Sequence, residues 1–266
     1  MGLDPALTCD LARYAPQTRF APLGEDGQRK LLQSRALLCG CGALGSTIAN
    51  WLVRAGVGTV RIVDRDFVEP TNLQRQTLFD ETDARNQTPK AVAADEKLRK
   101  INSNVTIEPI VANIDPANIE QFFDGVDVVL DGTDNFATRF LINDAAVKLG
   151  RPWIYGGCVG AGGQTMTILP GETPCLRCLM PECPEPNNTT TCQTVGILGP
   201  IVGIIASIEA VEAIKILSGN RSAVSRDMTV VDLWQNQVRR VDVRRLRDQV
   251  DCPACKHAEF AWLAGG

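Results

Sequence analysis

The chain has a single histidine, His257, lying beyond the last cysteine pair, where it reads as incidental rather than catalytic. Clustered positive charge is scarce too. The formal net charge is -4, and the one basic stretch, RRVDVRRLR at 239–247, is spaced by valines and a leucine. It reads as an exposed strand face, and no nucleic-acid surface is expected. The amino terminus, MGLDPALTCDLARY, carries acidic residues early and no apolar core of signal-peptide length. A cytoplasmic protein is therefore expected. Ala6 stands where N-myristoylation needs Ser or Thr. A membrane span is missing as well: the apolar stretch at 195–217 is broken by Glu209, Glu212 and Lys215, every third residue, which marks a core helix with a polar stripe. No G-x-x-x-x-G-K-[ST] phosphate loop occurs, and neither does an internal repeat or a clear linker.

What is present is an alternation of strand and helix signals. The runs ALLCG (36–40) and TVRIVD (59–64) are short and β-rich, and 46–54 between them reads as a helix ended by Gly56. A helix is expected over 90–101, strands over 105–111 and 126–131, a helix over 137–149 and a strand in PWIYGGCV. Beyond residue 160 the sequence predicts a strand between Gly-rich turns, a loop at 181–194 and an antiparallel pair in DMTVVDLW and QVRRVDV. The fold class expected is α/β: a Rossmann-like, doubly wound, mostly parallel sheet extended by antiparallel strands. We expect one domain over 1–266, with a helical segment to about residue 35, a nucleotide-binding half at 36–160 and a second half at 161–266.

GCGALG matches the dinucleotide fingerprint G-x-G-x-x-G at Gly40, Gly42 and Gly45. The first glycine permits a tight turn, the second lets backbone approach phosphates, and the third allows close helix packing. A glycine-rich turn without a ligand fits the same letters. Asp64, at the end of the next strand, suits ribose hydroxyls without choosing between NAD and ATP. Downstream lie Asn72, Arg75, Gln76 and Lys90, and DGTDNF adds Asp134 at another strand end. These charges favour a triphosphate and Mg²⁺ over a nicotinamide, against the plain alternative of a solvated charged loop.

Ten cysteines fall in several settings. Cys175-x-x-Cys178 and Cys252-x-x-Cys255 form two knuckles that match a closed, structural Zn²⁺ site, with a redox pair as the alternative. Cys39, Cys41 and Cys158 flank apolar strands and read as small core residues.

GCGALG, VDRDFVEPTNLQRQ, TPK, DGTDN, TCQTVGILGP and the two C-x-x-C pairs, in that order, resemble the ubiquitin-activating-enzyme-like adenylyltransferases of the MoeB/ThiF/HesA family, from about residue 13 to 255. That resemblance implies ATP- and Mg²⁺-dependent adenylation of the C-terminal glycine carboxylate of a ubiquitin-fold sulfur carrier ending in Gly-Gly. Pyrophosphate leaves, and the carrier is activated for sulfur transfer in thiamine or molybdenum-cofactor biosynthesis. It further implies Gly40, Gly42, Ala43 and Gly45 beneath the nucleotide, Asp64 on the ribose, Thr71, Asn72, Leu73, Gln74, Arg75 and Lys90 toward the phosphates, and Asp134 on magnesium beside Asn135. The second half would bind the carrier, and Cys192 would act in a later sulfur step, its thiol favoured by a helix start, with Cys183 as the alternative. A homodimer, and a sulfurtransferase or cysteine desulfurase as sulfur source, are expected partners. The nucleophile is already ionised near neutral pH, which suits a chain with one histidine. One departure stands out. Where many members read R-Y-x-R-Q, with an arginine reaching the partner's ATP, this chain reads Arg13-Tyr14-Ala15-Pro16-Gln17; Arg13 or Arg19 would have to compensate. An NAD-dependent oxidoreductase accounts for GCGALG and Asp64 but gives Arg75, Lys90 and the knuckles no role. A non-catalytic member fits Pro16, and a tRNA-directed relative is disfavoured by the acidic chain. The final AWLAGG resembles the carrier's own Gly-Gly tail, and is read as a frayed end or a truncation before a further segment rather than as a site of self-modification.

Overall fold

The computed structural model describes residues 11–185 and 192–265, with only the backbone of Cys192 and Gln193. The helical entry segment comprises a 3-10 turn at Leu11–Tyr14, α1 (Ala15–Thr18) and α2 (Gly24–Gln33). Then β1 (Arg35–Cys39), α3 (Ala43–Ala55) and β2 (Thr59–Val63) form the first strand-helix-strand unit. Gly56, at φ 81°, ends α3 in the left-handed conformation that glycine adopts without a Cβ penalty. The short α4 (Glu81–Arg85) precedes α5 (Lys90–Ile101) and β3 (Thr106–Ile110); α6 (Ile119–Phe122), β4 (Val128–Asp131), α7 (Phe136–Leu149) and β5 (Trp153–Val159) follow. The second half holds β6 (Gly162–Ile168), α8 (Leu176–Leu179), α9 (Cys192–Val195), α10 (Gly199–Leu217), β7 (Met228–Asp232), β8 (Gln237–Val241), α11 (Leu246–Gln249) and α12 (Pro253–His257).

All eight strands join one sheet in the order β3-β2-β1-β4-β5-β6-β7-β8. Neighbours from β3 to β5 are parallel, and β6, β7 and β8 continue antiparallel. The Rossmann-like parallel sheet with an antiparallel extension is therefore as the sequence predicted. Strand residues alternate between two cores. Leu38, Ile62, Leu130 and Ile154 face the layer of α3, α5 and α10, whereas Leu37, Val63, Val129, Trp153 and Tyr155 face α7. Every position of β8 is exposed, as expected for its basic face.

The long apolar segment is indeed a core helix, packed on α3, β5 and β6, and no helix among the described residues is long and apolar enough to cross a membrane. Its polar stripe, however, turns inward. Glu209 is fully buried and Glu212 nearly so. Glu212 is matched by Lys215 Nζ at 2.6 Å and the Ser225 amide at 2.9 Å; Glu209 is considered below. The segment at the carboxyl end also departs from a frayed reading, because the Trp262 ring packs 5.5 Å from Phe140 of α7.

Strand order reverses at β1, with β2 on one side and β4 on the other, and open parallel sheets bind ligands at such a point, beyond the strands' carboxyl ends. Here the backbone is crowded. A Cβ on Gly45 would lie 2.1 Å from the Gly40 carbonyl oxygen. Helix propensity favours Ala over Gly by about 1 kcal/mol, but overpacking against an unyielding carbonyl costs about 1–3 kcal/mol, and a contact this short belongs at the upper end. Gly45→Ala should therefore lower the urea midpoint with an unchanged slope, measured by equilibrium unfolding.

Candidate nucleotide site and thiol cluster

Three loops meet at the switch point. Gly40, at φ 88°, turns the chain out of β1, and its amide donates to the Val63 carbonyl at 2.8 Å. The Gly132 amide donates to the Cys39 carbonyl at 2.7 Å, and a Cβ on Gly132 would sit 2.2 Å from the Gly40 oxygen. GCGALG and DGTDN are thus locked backbone to backbone. From β2, Asp64 accepts the Cys41 amide at 2.6 Å on one oxygen and the Asp66 amide at 2.7 Å on the other. Burial pushes the Asp64 carboxyl up, opposed by the Lys90 charge and by the two amides. No side chain caps the first turn of α3, so its amides are open to an anion and the helix dipole favours one there. Gly42 leaves open space on this side: its missing Cβ would meet nothing nearer than 3.8 Å.

Lys90, the first residue of α5, is buried, and its ammonium lies 2.9 Å from Asp66 Oδ2 while its amide donates to the Asp66 carbonyl at 2.8 Å. The segment 69–76 is a small self-capped turn. Asn72 is buried and accepts the Glu69 amide, and Thr71 donates to the Glu69 carboxylate at 3.3 Å. Leu73 packs against the core, so its side chain does not face the turn's open side. The Gln74 carbonyl abuts Gly199, where a Cβ would approach to 2.9 Å. Arg75 donates once, to the Thr71 carbonyl at 3.0 Å, and its other N–H groups have no protein partner among the described residues. Gln76 lies beside Gly42, and its buried Oε1 also lacks a partner among the described residues.

After β4 the loop 132–135 exposes Asp134, and Asn135 caps α7 by accepting the Thr138 amide at 2.8 Å. Beneath it lies a hub that sequence reasoning missed. Asp131, fully buried, accepts the Thr133 amide and hydroxyl on one oxygen and Arg139 Nε at 2.8 Å on the other. Arg139 Nη2 donates to the Thr133 carbonyl at 2.8 Å and the Gly156 carbonyl at 2.9 Å. Its guanidinium stacks on Phe136 and Tyr155 at 5.2 and 5.4 Å. The signal was present: an acid and an arginine bracket the loop DGTDNFATR, close enough to fold back on one another.

On the α7 side the two cysteine knuckles converge. The Sγ atoms of Cys175, Cys178, Cys252 and Cys255 lie within 4.8 Å of one another, with Cys175–Cys252 at 3.6 Å, Cys178–Cys255 at 3.8 Å and Cys175–Cys178 at 3.9 Å. Four sulfurs about 2.3 Å from a tetrahedral metal stand about 3.8 Å apart, so the donor set fits one such ion. Second contacts fix the knuckle: the Leu176 amide donates to Asn143 at 2.8 Å, and Arg177 pairs with the buried Asp144 at 3.3 Å. Burial pushes the Asp144 carboxyl up, and the Arg177 charge opposes it.

The remaining thiols separate cleanly. Cys39 and Cys41 are fully buried, in the two different cores, and burial pushes both up, which suits core residues; Cys158 is half-buried against the core that holds Cys41. Cys183 is half-buried, and burial pushes it up rather than activating it. The Cys192 side chain lies outside the described residues. Its backbone begins the four-residue α9, and the long helix starts at Gly199. His257 pairs with Asp251 on the surface. Arg13 is tied to the Ile101 carbonyl at 3.0 Å, at the far end of α5 from Lys90, while Pro16 and Arg19 are exposed. A shallow groove of about 600 Å³ lies by Gly160, Gly162, Val195, Leu198 and the exposed Trp234.

Comparison with protein families matches the ThiF family over residues 14–254. The sulfur carrier protein ThiS adenylyltransferase of Bacillus subtilis is 44% identical over 253 residues, covering 95% of this chain and 74% of that protein. The SAMP-activating enzyme E1 of Haloferax volcanii is 38% identical over 245 residues, covering 92% of this chain and 88% of the other. Among solved structures, E. coli MccB with succinimide superimposes with a TM-score of 0.77 at 21% identity, over 92% of this chain and 73% of that one, a likeness of fold.

Breaking a buried ion pair from one side leaves an uncompensated charge, at a cost of about 3–5 kcal/mol. Asp131→Ala, which strands Arg139, should destabilise the protein on that order, and Asp131→Asn by less, because an amide still accepts from Arg139. Chemical denaturation of both variants checks the order.

Proposed function

Because the chain belongs to the ThiF family, we propose that it is a sulfur-carrier-protein adenylyltransferase, which uses ATP to adenylate the C-terminal glycine carboxylate of a small ubiquitin-fold partner and releases pyrophosphate. The observation that carries this reading is the gathering beyond the carboxyl ends of β1, β2 and β4 of an uncapped helix start, the cations Lys90 and Arg75, and the exposed Asp134. Gly40, Gly42, Ala43 and Gly45 would lie beneath the nucleotide. Asp64 would accept a ribose hydroxyl on lone pairs that its two backbone donors leave open. Thr71, Asn72, Leu73, Gln74 and Arg75 form the turn that faces the phosphates, with Leu73 contributing backbone alone, since its side chain belongs to the core. Asp134, beside Asn135, would hold Mg²⁺, which when bound supplies charge neutralisation beside the phosphates.

The chemistry asks little of the protein in proton transfer. A terminal carboxylate is ionised near neutral pH, so no general base is needed. The difficulty is electrostatic: a carboxylate must approach an α-phosphate, and both are anions. Lys90, buried where solvent screens it weakly, and Arg75, with N–H groups to spare among the described residues, counter that repulsion. In place of the arginine lost at Pro16, Arg19 is the better candidate for a cation offered to a second subunit, since Arg13 is engaged by Ile101.

The partners follow from surface chemistry. Trp234, Val238 and Val241 expose apolar surface at β7 and β8 beside the Gly160–Gly162 groove, which suits an apolar face of the carrier with its Gly-Gly tail led inward. Trp51 of α3 with Ile204 and Val211 of α10 expose a second apolar area, which supports a homodimer. One continuous sheet supports a single ThiF-type domain. Cys175, Cys178, Cys252 and Cys255 would hold structural zinc, and Cys192 would serve a later sulfur step supplied by a sulfurtransferase or cysteine desulfurase. The likeness to a ThiS adenylyltransferase supports a thiamine-type carrier, with a molybdenum-cofactor carrier as the alternative, acting in the cytoplasm.

ATP–pyrophosphate exchange should appear only when a Gly-Gly-ended ubiquitin-fold carrier is added, and Arg75→Ala should reduce it by about 10²–10³-fold, the loss typical of one donor to developing charge. Exchange indifferent to every carrier would overturn the reading. Metal analysis of the purified protein should find one zinc per chain, absent from Cys252→Ser, and that variant should melt earlier because the ion joins the middle of the chain to its end.

A further inference from the structure

Glu209 is the acid that the proposed chemistry leaves unused, and its surroundings are unusual. It sits on α10, fully buried, and neither carboxylate oxygen finds a hydrogen-bond partner among the described residues. The side chain runs into the sheet at Gly156: a Cβ there would lie 2.0 Å from Glu209 Oε1. Gly156 is thus a gap in β5, and the carboxyl fills it.

Around this gap the polar groups come from both faces. Gly156 pairs with Thr165 across β5 and β6, and directly opposed residues share a face. Thr165 therefore points to the α10 side, and its buried hydroxyl also lacks a partner among the described residues. From the opposite face, Arg139 of α7 donates to the carbonyl of that same Gly156 while its other bonds run to Asp131 and to the Thr133 carbonyl. Asp131 contributes the charge from β4 and Tyr155 a phenol from β5. The other elements against α10 add none: α3 carries one charge, Arg54, bonded to Asn50, the charged residues of α2 are exposed, and Arg221 is held by Glu172. On α10 itself, Glu212 and Lys215 satisfy each other.

We propose that Glu209 is a positioning residue of the adenylation site: through the gap at Gly156 it governs how Arg139 holds loop 132–135, and therefore where Asp134 sits. With Asp131 and Arg139 already balanced, a neutral Glu209 leaves the pair undisturbed. An ionised Glu209 adds an unmatched negative charge on the far side of Gly156. Arg139 is then drawn toward the gap and away from the Thr133 carbonyl. The proton goes to solvent, and the loop loses the donor that fixes it. Burial, then the Asp131 charge, push the Glu209 carboxyl well above the ordinary glutamate value of 4.5 and so favour its neutral form, against the Arg139 charge. For a raised acid the sign is fixed: the stabilisation is complete below the unfolded value and is lost as pH climbs through the folded one.

The importance of this positioning rests on the adenylation reading, but its test does not. Glu209→Gln keeps the shape and cannot ionise. Hydrogen exchange of the loop 132–135 amides, above all Thr133, should be equally protected in the parent enzyme and the variant in mildly acidic buffer. In alkaline buffer, with both proteins compared at the same pH, the parent loop should exchange several-fold faster. Thermal unfolding should run in parallel, the variant gaining on the parent as pH rises. Equal protection of the loop at every pH overturns the proposal. If the loop behaves as expected yet no carrier supports pyrophosphate exchange, the adenylation reading falls and the positioning role of Glu209 stands.

Discussion

The Gly40 carbonyl oxygen, pressed against the α-carbons of Gly45 and Gly132, is the contact on which the site depends. In a sheet whose register sets Cys39 beside both Val63 and Asp131, three strands end at the same level. Their loops would collide if each carried a side chain. Glycine at two of the contacting positions lets α3 begin almost on top of β1 and lets the β4 loop fold over it. The free amides of α3, the Asp64 carboxylate and the Asp134 loop then share one small volume. A single Cβ at this contact would separate α3, with its open amides, from the loop that carries Asp134.

Charge is handled by containment. Lys90 is buried against Asp66 and beside Asp64, and Arg139 against Asp131, with each pair reinforced by backbone hydrogen bonds. Such pairs are weak contributors to stability, since desolvation offsets most of the Coulomb gain. Their value lies in order. A guanidinium with five fixed acceptors or ring contacts holds a loop in one place, and a lysine held by a neighbouring carboxylate has little conformational freedom left to lose when an anion arrives. Arg75 shows the opposite arrangement: one tether, to the Thr71 carbonyl, and further donors without a protein partner among the described residues.

Much of the fold was legible because periodicity and breakers agreed. Helix 90–101 and the strand pair at 228–241 follow directly from spacing, and Gly56 ends α3 where the sequence places it. The thiol cluster was legible as well, since two knuckles imply convergence even when some seventy residues separate them. What could not be read was direction. The recurrence of Glu209, Glu212 and Lys215 gives a stripe on a helix but not the surface it meets, and here Glu209 meets the sheet and Glu212 the Ser225 amide. Leu73 sat inside a motif and was assigned to the phosphates, yet its apolar side chain follows burial. Asp131 and Arg139 escaped notice because each is ordinary alone, and only the turn of 132–135 makes them partners.

That blind spot has a common cause, which explains where the hidden groups lie. An α/β sheet separates two cores, and a side chain on one face ordinarily has no contact with the other, because the strands' own side chains fill both surfaces. A glycine within a central strand removes that insulation at one point. At Gly156 the carbonyl is held from the α7 face while the missing side chain admits an acid from the α10 face. The two layers that otherwise communicate only through backbone geometry are there in electrostatic contact. It follows that the helix layer that packs against α3 and the layer that carries the thiol cluster do not act on the loops after β1 and β4 independently. Their shared hinge is the strand position where sequence shows only a glycine pair, and where the physical content resides in what the glycine leaves out.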